Sequence, residues 1–168
     1  RGQYCKKLTK EQTEAYAVEA FRELSDYALD KNVMIALETV TIMQTNFINT
    51  LEEAKRMIEM VDRPNFRLMM DIFHLNLEEK DMYQAIRDYS KYNIHVHLAD
   101  NNRRYPGQCG FDFEKILRTF KECGYEETAI TERLEQTFET IFYGTEAERF
   151  YHEAGDDMAY LEDTGNHD

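Results

Sequence analysis

Long apolar runs are missing from this 168-residue chain: no stretch is long enough to span a bilayer, and no signal-peptide pattern opens it. Basic residues are too few to balance the acidic ones. Against 33 Asp and Glu stand only 20 Lys and Arg, a formal net charge of −13, which excludes nucleic acid and anionic membrane as partners because phosphate binding depends on clustered cations. A solvated acidic surface accounts for the excess. Cysteine is scarce. Cys5, Cys109 and Cys123 are odd in number and widely spaced, which offers neither a disulfide framework nor a thiolate zinc site and makes a reducing cytoplasm the expected compartment. An initiator Met is lacking as well, and the polar opening Arg1-Gly2-Gln3-Tyr4 reads like the loop after a preceding strand, so the chain is expected to be a fragment.

Hydrophobic residues make up 42% of the chain, enough to supply a core, and the length fits one domain over 1–168. Four apolar runs each end on a residue able to bind a metal ion: Val33–Glu38, Phe66–Asp71, Ile94–His97 and Thr128–Glu132. If these are parallel strands of one sheet, their C-terminal edges bring three carboxylates and an imidazole to one face. Mixed oxygen and nitrogen donors suit a divalent cation of the Mn²⁺ type, with Co²⁺ or Mg²⁺ as alternatives. Each carboxylate taken alone reads equally as a helix cap or an ion-pair partner; the four in step carry the metal reading.

Helices separate the runs. Thr9 and Gln12 form a capping-box pair opening a helix that ends near Asp30, with Ala17, Phe21, Leu24 and Ala28 on one face. Thr50 and Glu53 open a second, burying Ala54, Met57, Ile58 and Val61, which Pro64 and Asn65 stop. A third is expected over about Glu78 to Tyr92, with Met82, Ile86 and Tyr89 inward. Asp112 is placed to cap a fourth that buries Ile116, Leu117 and Phe120 and ends at a left-handed Gly124. Glu146 to Leu161 reads as a last helix, and 162–168 as a frayed acidic tail. Met69 and Met70 read as core, and His95 as packing against a helix or orienting a second partner on the other side of its strand from His97.

Alternating helix and strand imply a parallel sheet covered by helices. Four strands cannot close a barrel and eight can, with reacting groups at the strands' C-terminal ends, so the fold class is α/β and the chain reads as the C-terminal half, strands 5–8 with their helices, of a (β/α)₈ TIM barrel. The segments Leu37-Glu38, Asn46-Phe47-Ile48-Asn49-Thr50, Asp71-Ile72-Phe73-His74, His95-Val96-His97-Leu98-Ala99-Asp100, Arg103 and Pro106-Gly107 resemble the xylose isomerase-like TIM barrel superfamily. Within it they are similar to sugar-phosphate isomerases and epimerases of the D-tagatose 3-epimerase type, over roughly Val33 to Glu132.

The resemblance implies metal ligands at Glu38, Asp71, His97 and Glu132, a pair of catalytic carboxylates at Glu38 and Glu132, and sugar-oxygen contacts from His74 and Arg103. It implies a sugar epimerase or isomerase in which one Glu removes a proton beside a carbonyl and the other returns one to the opposite face. Physical chemistry agrees: such a proton is weakly acidic, so the developing oxyanion needs positive charge beside it, and inversion is served by two bases on opposite faces.

Departures from the family pattern lie after the first ligand. Glu38 is followed by Thr39-Val40-Thr41-Ile42-Met43-Gln44, and Gln44 takes the place of a further Glu; Cys109 stands where a Gly is usual. A neutral amide holds a sugar hydroxyl differently from a carboxylate, which keeps open a metal-dependent lyase or C-glycoside-cleaving enzyme, and also a non-catalytic half-barrel. The expected partners are a sugar or polyol substrate and a complementary N-terminal half-barrel or partner chain, in a homo-oligomer, with no nucleic acid and no membrane.

Overall fold

A computed structural model describes residues 3, 4 and 6–124, which lie within one compact unit, Arg1–Gly124. The expected strand Thr128–Glu132, the helix Glu146–Leu161 and the acidic tail fall outside the described residues. Each remaining element can be followed from the sequence that caps and buries it.

Helix α1 (Lys10–Leu29) starts at the expected capping box: the Thr9 hydroxyl accepts the Gln12 amide at 3.2 Å, and Gln12 Oε1 accepts the Thr9 amide at 2.9 Å. Its inward face is rotated from the expected one, for Val18, Ser25 and Ala28 are buried while Leu24 is 50% exposed. Ser25 tolerates burial because its hydroxyl donates to the Phe21 carbonyl at 2.6 Å. Phe21 then stacks on Phe66, with ring centroids 5.0 Å apart. Strand β1 (Ile35–Glu38) begins two residues later than the apolar run suggests. Val33 is spent on closing α1, its amide donating to the Ala28 carbonyl at 3.0 Å.

Helix α2 (Leu51–Val61) has the second capping box, Thr50 with Glu53, and buries all four expected residues together with Leu51. Its stop comes earlier than Pro64. Asp62 takes a left-handed φ of 51° and closes the last turn through the Ile58 carbonyl. Asn65 then joins three elements, its side-chain amide donating to the Ser25 and Val33 carbonyls at 2.8 and 3.1 Å while its own carbonyl accepts the Ile35 amide.

Strand β2 (Phe66–Asp71) runs directly into α3 (Ile72–Glu78), followed by α4 (Met82–Tyr89) and a 3₁₀ turn, Ser90–Tyr92. Within the span of the expected single helix, about Glu78 to Tyr92, lie α4 and the turn, and α3, ending at Glu78, is a helix the sequence does not predict. Two caps explain the break: Asp71 accepts the Phe73 amide to open α3, and Asp81 accepts the Gln84 amide to open α4. Met82 and Ile86 are buried as expected, whereas Tyr89 is only half-buried and donates its hydroxyl to Glu52. Strand β3 (Asn93–His97) follows, then α5 (Phe113–Glu122), capped by Asp112 and closed by Gly124 at φ 87°. Its buried residues are Ile116, Thr119 and Phe120, with Leu117 half-buried.

The three described strands form one parallel sheet in the order β1-β2-β3. Glu38 pairs with Met69, and Asp71 pairs with His97 after an irregularity at Leu68/Met69. The Asn93 side chain accepts the Met70 amide at 3.1 Å beside that irregularity. Along β2 the period of two puts Phe66, Leu68 and Met70, all nearly fully buried, against the helices. Ile58, Val61, Ile72, Leu75, Ile86 and Ile116 belong to the same buried set, each worth roughly 1.5–3 kcal/mol by transfer from water. The opposite face of the sheet carries Glu38, Met69, Asp71, His95 and His97, and that face positions the site. Among the described residues, no helix is long and apolar enough to cross a membrane.

Candidate metal centre

Parallel register and side-chain period bring three distant groups to one sheet edge. Asp71 is the centre. It is 3% exposed, and its Oδ1 is committed to the Phe73 amide at 2.9 Å, which fixes the carboxylate at the start of α3. Its Oδ2 faces Arg103 Nη1 at 3.0 Å and two imidazole nitrogens, His74 Nε2 and His97 Nδ1, each at 3.9 Å. Glu38 Oε1 lies 3.6 Å from the same His97 nitrogen.

The residues Glu38, Asp71 and His74 offer ligand atoms that all lie within 4.8 Å of one another, a group that can hold a metal ion. Two carboxylates with imidazole nitrogen beside them form an oxygen and nitrogen donor set that fits a divalent cation. Of the sequence-expected ligands, Glu38, Asp71 and His97 come together here; Glu132 lies outside the described residues. His74 and Arg103, expected to meet substrate, stand at the same Asp71 oxygen.

Hydrogen bonding distinguishes the two imidazoles. His74 is one helical turn beyond Asp71 and is 3% exposed, and its Nδ1 accepts the Thr41 amide at 3.4 Å. A neutral ring that accepts at Nδ1 carries its proton on Nε2, the nitrogen turned toward Asp71 at 3.9 Å, beyond direct hydrogen-bonding distance. The His97 side chain is nearly half exposed and aims Nδ1 between Glu38 and Asp71.

Charge is tuned to match. The His97 imidazole holds the Glu38 carboxyl below its ordinary value of 4.5, outweighing the opposing effect of partial burial, so the group is ionised at neutral pH. Glu38 in turn raises His97 above 6.5. Arg103 has a left-handed φ of 63° and lays its guanidinium 4.6 Å above the Phe73 ring, so its cation is held by a carboxylate on one side and an aromatic face on the other.

His95 does not lie across the strand from His97. Residues two apart share a face, and the two rings meet edge to face with centroids 5.1 Å apart. Of the core methionines, Met70 is fully buried and Met69 half-buried. Sequence reasoning missed the parts played by Phe73, the Thr41 amide and Asp100. The first two follow from three-dimensional packing alone, and Asp100 stands at the end of the His95–Asp100 motif without any sign of the amides that converge on it. Gln44 is half-buried, and its Oε1 is enclosed with no donor among the described residues. A groove lined by Ala17, Phe21, Leu37, Val40, Phe47 and Ile48 opens beside Glu38.

A parallel sheet whose strand ends gather carboxylates and imidazoles is an α/β arrangement with a candidate metal site, and the chain belongs to the xylose isomerase-like TIM barrel family, whose model matches residues 1–154. Its relatives include a ketose 3-epimerase from Arthrobacter globiformis, 31% identical over 113 residues, covering 67% of this chain and 39% of the relative. Among solved structures it is similar to the apo form of 3-keto-D-glucoside 4-epimerase from E. coli, with a TM-score of 0.68 and 28% identity over 71% of this chain and 45% of that one. It is also similar to the IOLI protein with a bound zinc atom, with a TM-score of 0.57 and 29% identity over 71% and 47% of the two chains. The chain therefore spans less than half the length of these relatives.

Proposed function

We propose that this chain is the C-terminal half of a (β/α)₈ barrel and carries the metal and proton-transfer side of a divalent-metal-dependent sugar epimerase or isomerase. One observation carries the reading: at one sheet edge His97 of β3 lies 3.6 Å from Glu38 of β1 and 3.9 Å from Asp71 of β2. The epimerases among the relatives, and the zinc in one of them, support it. In this reading Glu38, Asp71, His97 and Glu132 hold the cation, Mn²⁺ by preference and Co²⁺ or Mg²⁺ otherwise. His97 is assigned in place of His74 because the Thr41 amide leaves His74 a donor at Nε2.

A divalent cation at this position supplies Lewis-acid polarisation of a sugar carbonyl. The chain's own groups do the rest. Glu38, a carboxylate at neutral pH, accepts the proton from the carbon beside the carbonyl. Arg103 places positive charge toward the enediolate oxygen, and His74 donates a hydrogen bond from Nε2 to a substrate oxygen. Glu132 returns a proton to the opposite face, inverting the carbon. The remaining strands come from the rest of the polypeptide or from a second chain, and the assembly is a homo-oligomer in the cytoplasm.

Solvent deuterium tests the reaction. Full-length protein supplied with Mn²⁺ is expected to place deuterium on the carbon beside the carbonyl of a ketose or aldose, read by NMR. Absence of exchange across a broad sugar panel sinks the proposal. Gln44 favours a second reading, because its enclosed amide stands where the resembling epimerases carry a carboxylate. Elimination or C-glycoside cleavage without exchange would establish that lyase chemistry instead.

A further inference from the structure

Asp100 takes no part in the cluster of ligand atoms, yet it is the most heavily hydrogen-bonded carboxylate among the described residues. Its residue exposure is 0%. Five backbone amides converge on it: Oδ1 accepts from Asn101, Gly110 and Phe111 at 2.9, 3.0 and 3.1 Å, and Oδ2 accepts from Gly107 and Cys109 at 3.0 and 2.8 Å. Its own backbone closes a smaller ring, the Asp100 amide donating to the Arg104 carbonyl at 2.9 Å and its carbonyl accepting the Arg103 amide at 2.8 Å. Segment 101–111 is thereby folded around one buried negative charge.

Burial contributes little along most of that segment. Residues 101–104 and 107–110 are exposed, so burial of apolar surface cannot fix their path. The chain must pass through positive φ at Arg103 and Gly107 to bring its amides onto the carboxylate. This path delivers the Arg103 guanidinium to Asp71 and over Phe73.

We infer that Asp100 is a positioning residue: its carboxylate gathers the backbone of 101–111 so that Arg103 is held at the sheet edge beside Asp71, without Asp100 itself touching substrate. The assignment rests on the proposed reaction for its catalytic meaning, while the anchor is a property of the chain alone. Burial raises the Asp100 carboxyl, but backbone hydrogen bonds from Asn101, Cys109, Phe111 and Gly110 outweigh it and hold the group below its ordinary range, in keeping with a charged anchor.

Hydrogen exchange on the full-length protein, with Asp100→Asn and Asp100→Glu beside it, tests the anchor without any sugar. The unmodified protein is expected to protect the amides of 107 and 109–111. Loss of hydrogen bonds to a charged group predicts exchange at least about tenfold faster over 101–111 in Asp100→Asn, with α2 unchanged and Asp100→Glu nearer the parent. Rapid exchange of these amides in the parent, or an equal rise in α2, overturns the assignment, and the parent measurement stands even where a variant fails to fold. Kinetics supply the second arm. Asp100→Asn and Arg103→Ala should each lower turnover about tenfold or more, and the double variant should be no slower than Arg103→Ala, because one acts through the other. Multiplying losses contradict the inference. Deuterium labelling by the parent decides the reaction and exchange decides the anchor, so the two fail on separate measurements.

Discussion

The ends of β2 and β3 meet at the same site and are built in opposite ways. At β2 there is no loop: Asp71 caps α3 with one oxygen and presents the other to the cluster, and His74 follows one turn later on the same rigid helix, both almost wholly buried. At β3 the chain leaves His97 nearly half exposed and enters a long excursion before α5, shaped by the Asp100 carboxylate and returning Arg103 to Asp71. The comparison teaches that the β2 end is held by a helix cap and burial, while at the β3 end His97 is held by the sheet and the Arg103 arm by the loop gathered on Asp100. Substitutions at the two ends should therefore fail differently.

The largest effect is expected from Asp71→Ala, which removes a carboxylate from the cluster and the cap of α3 together. Apparent Mn²⁺ affinity should fall at least about a hundredfold by calorimetry, with a loss of stability on the order of 1 kcal/mol from the cap. Asp71→Asn separates the two roles, since its amide oxygen still accepts the Phe73 amide; stability near the parent with metal binding lost would sharpen the picture of a rigid end. Ile86 on α4 belongs to the buried core at 0% exposure. Ile86→Ala should cost about 2–5 kcal/mol in urea unfolding. A loss well under about 1 kcal/mol would contradict a packed core at this position.

Acid should open the β3 end. The Asp100 carboxyl is held below its ordinary value of 3.8, with burial opposing and the amides prevailing. A depressed native value makes the anchor's contribution complete above pH 3.8 and lost as pH falls below it. Protection of 101–111, corrected for intrinsic exchange rates, should fall in that window, and protection unchanged down to global unfolding would count against the anchor. The smallest effect is assigned to Thr50→Ala, which removes the α2 cap but no side chain of the cluster and should cost about 1 kcal/mol in thermal unfolding without altering metal affinity.

Much of this architecture was legible in the sequence because capping chemistry is local. Thr9 with Gln12, Thr50 with Glu53, and Asp112 each open the helix expected of them, and Gly124 takes its left-handed place. The region from Asp71 to Tyr92 was misread for the same reason. Asp71 serves both as a strand-end carboxylate and as the cap of α3, and the first role hid the second. Of the site, Glu38, Asp71 and His97 were readable from apolar runs ending on ligand-type residues. The face of His95 was misassigned although a period of two settles it, and the donor tautomer of His74 needed the Thr41 amide from 33 residues away. Asp100 was visible only as part of a motif, because an anchor is recognised by what converges on it.

The central claim is that Glu38, Asp71 and His97 grip one divalent cation. Anomalous diffraction from crystals of the full-length protein grown with Mn²⁺ tests it most directly. One ion per chain is expected, with donor atoms of these three side chains about 2.0–2.3 Å away. An empty cluster, or manganese bound at a place that does not include Asp71, would contradict the account.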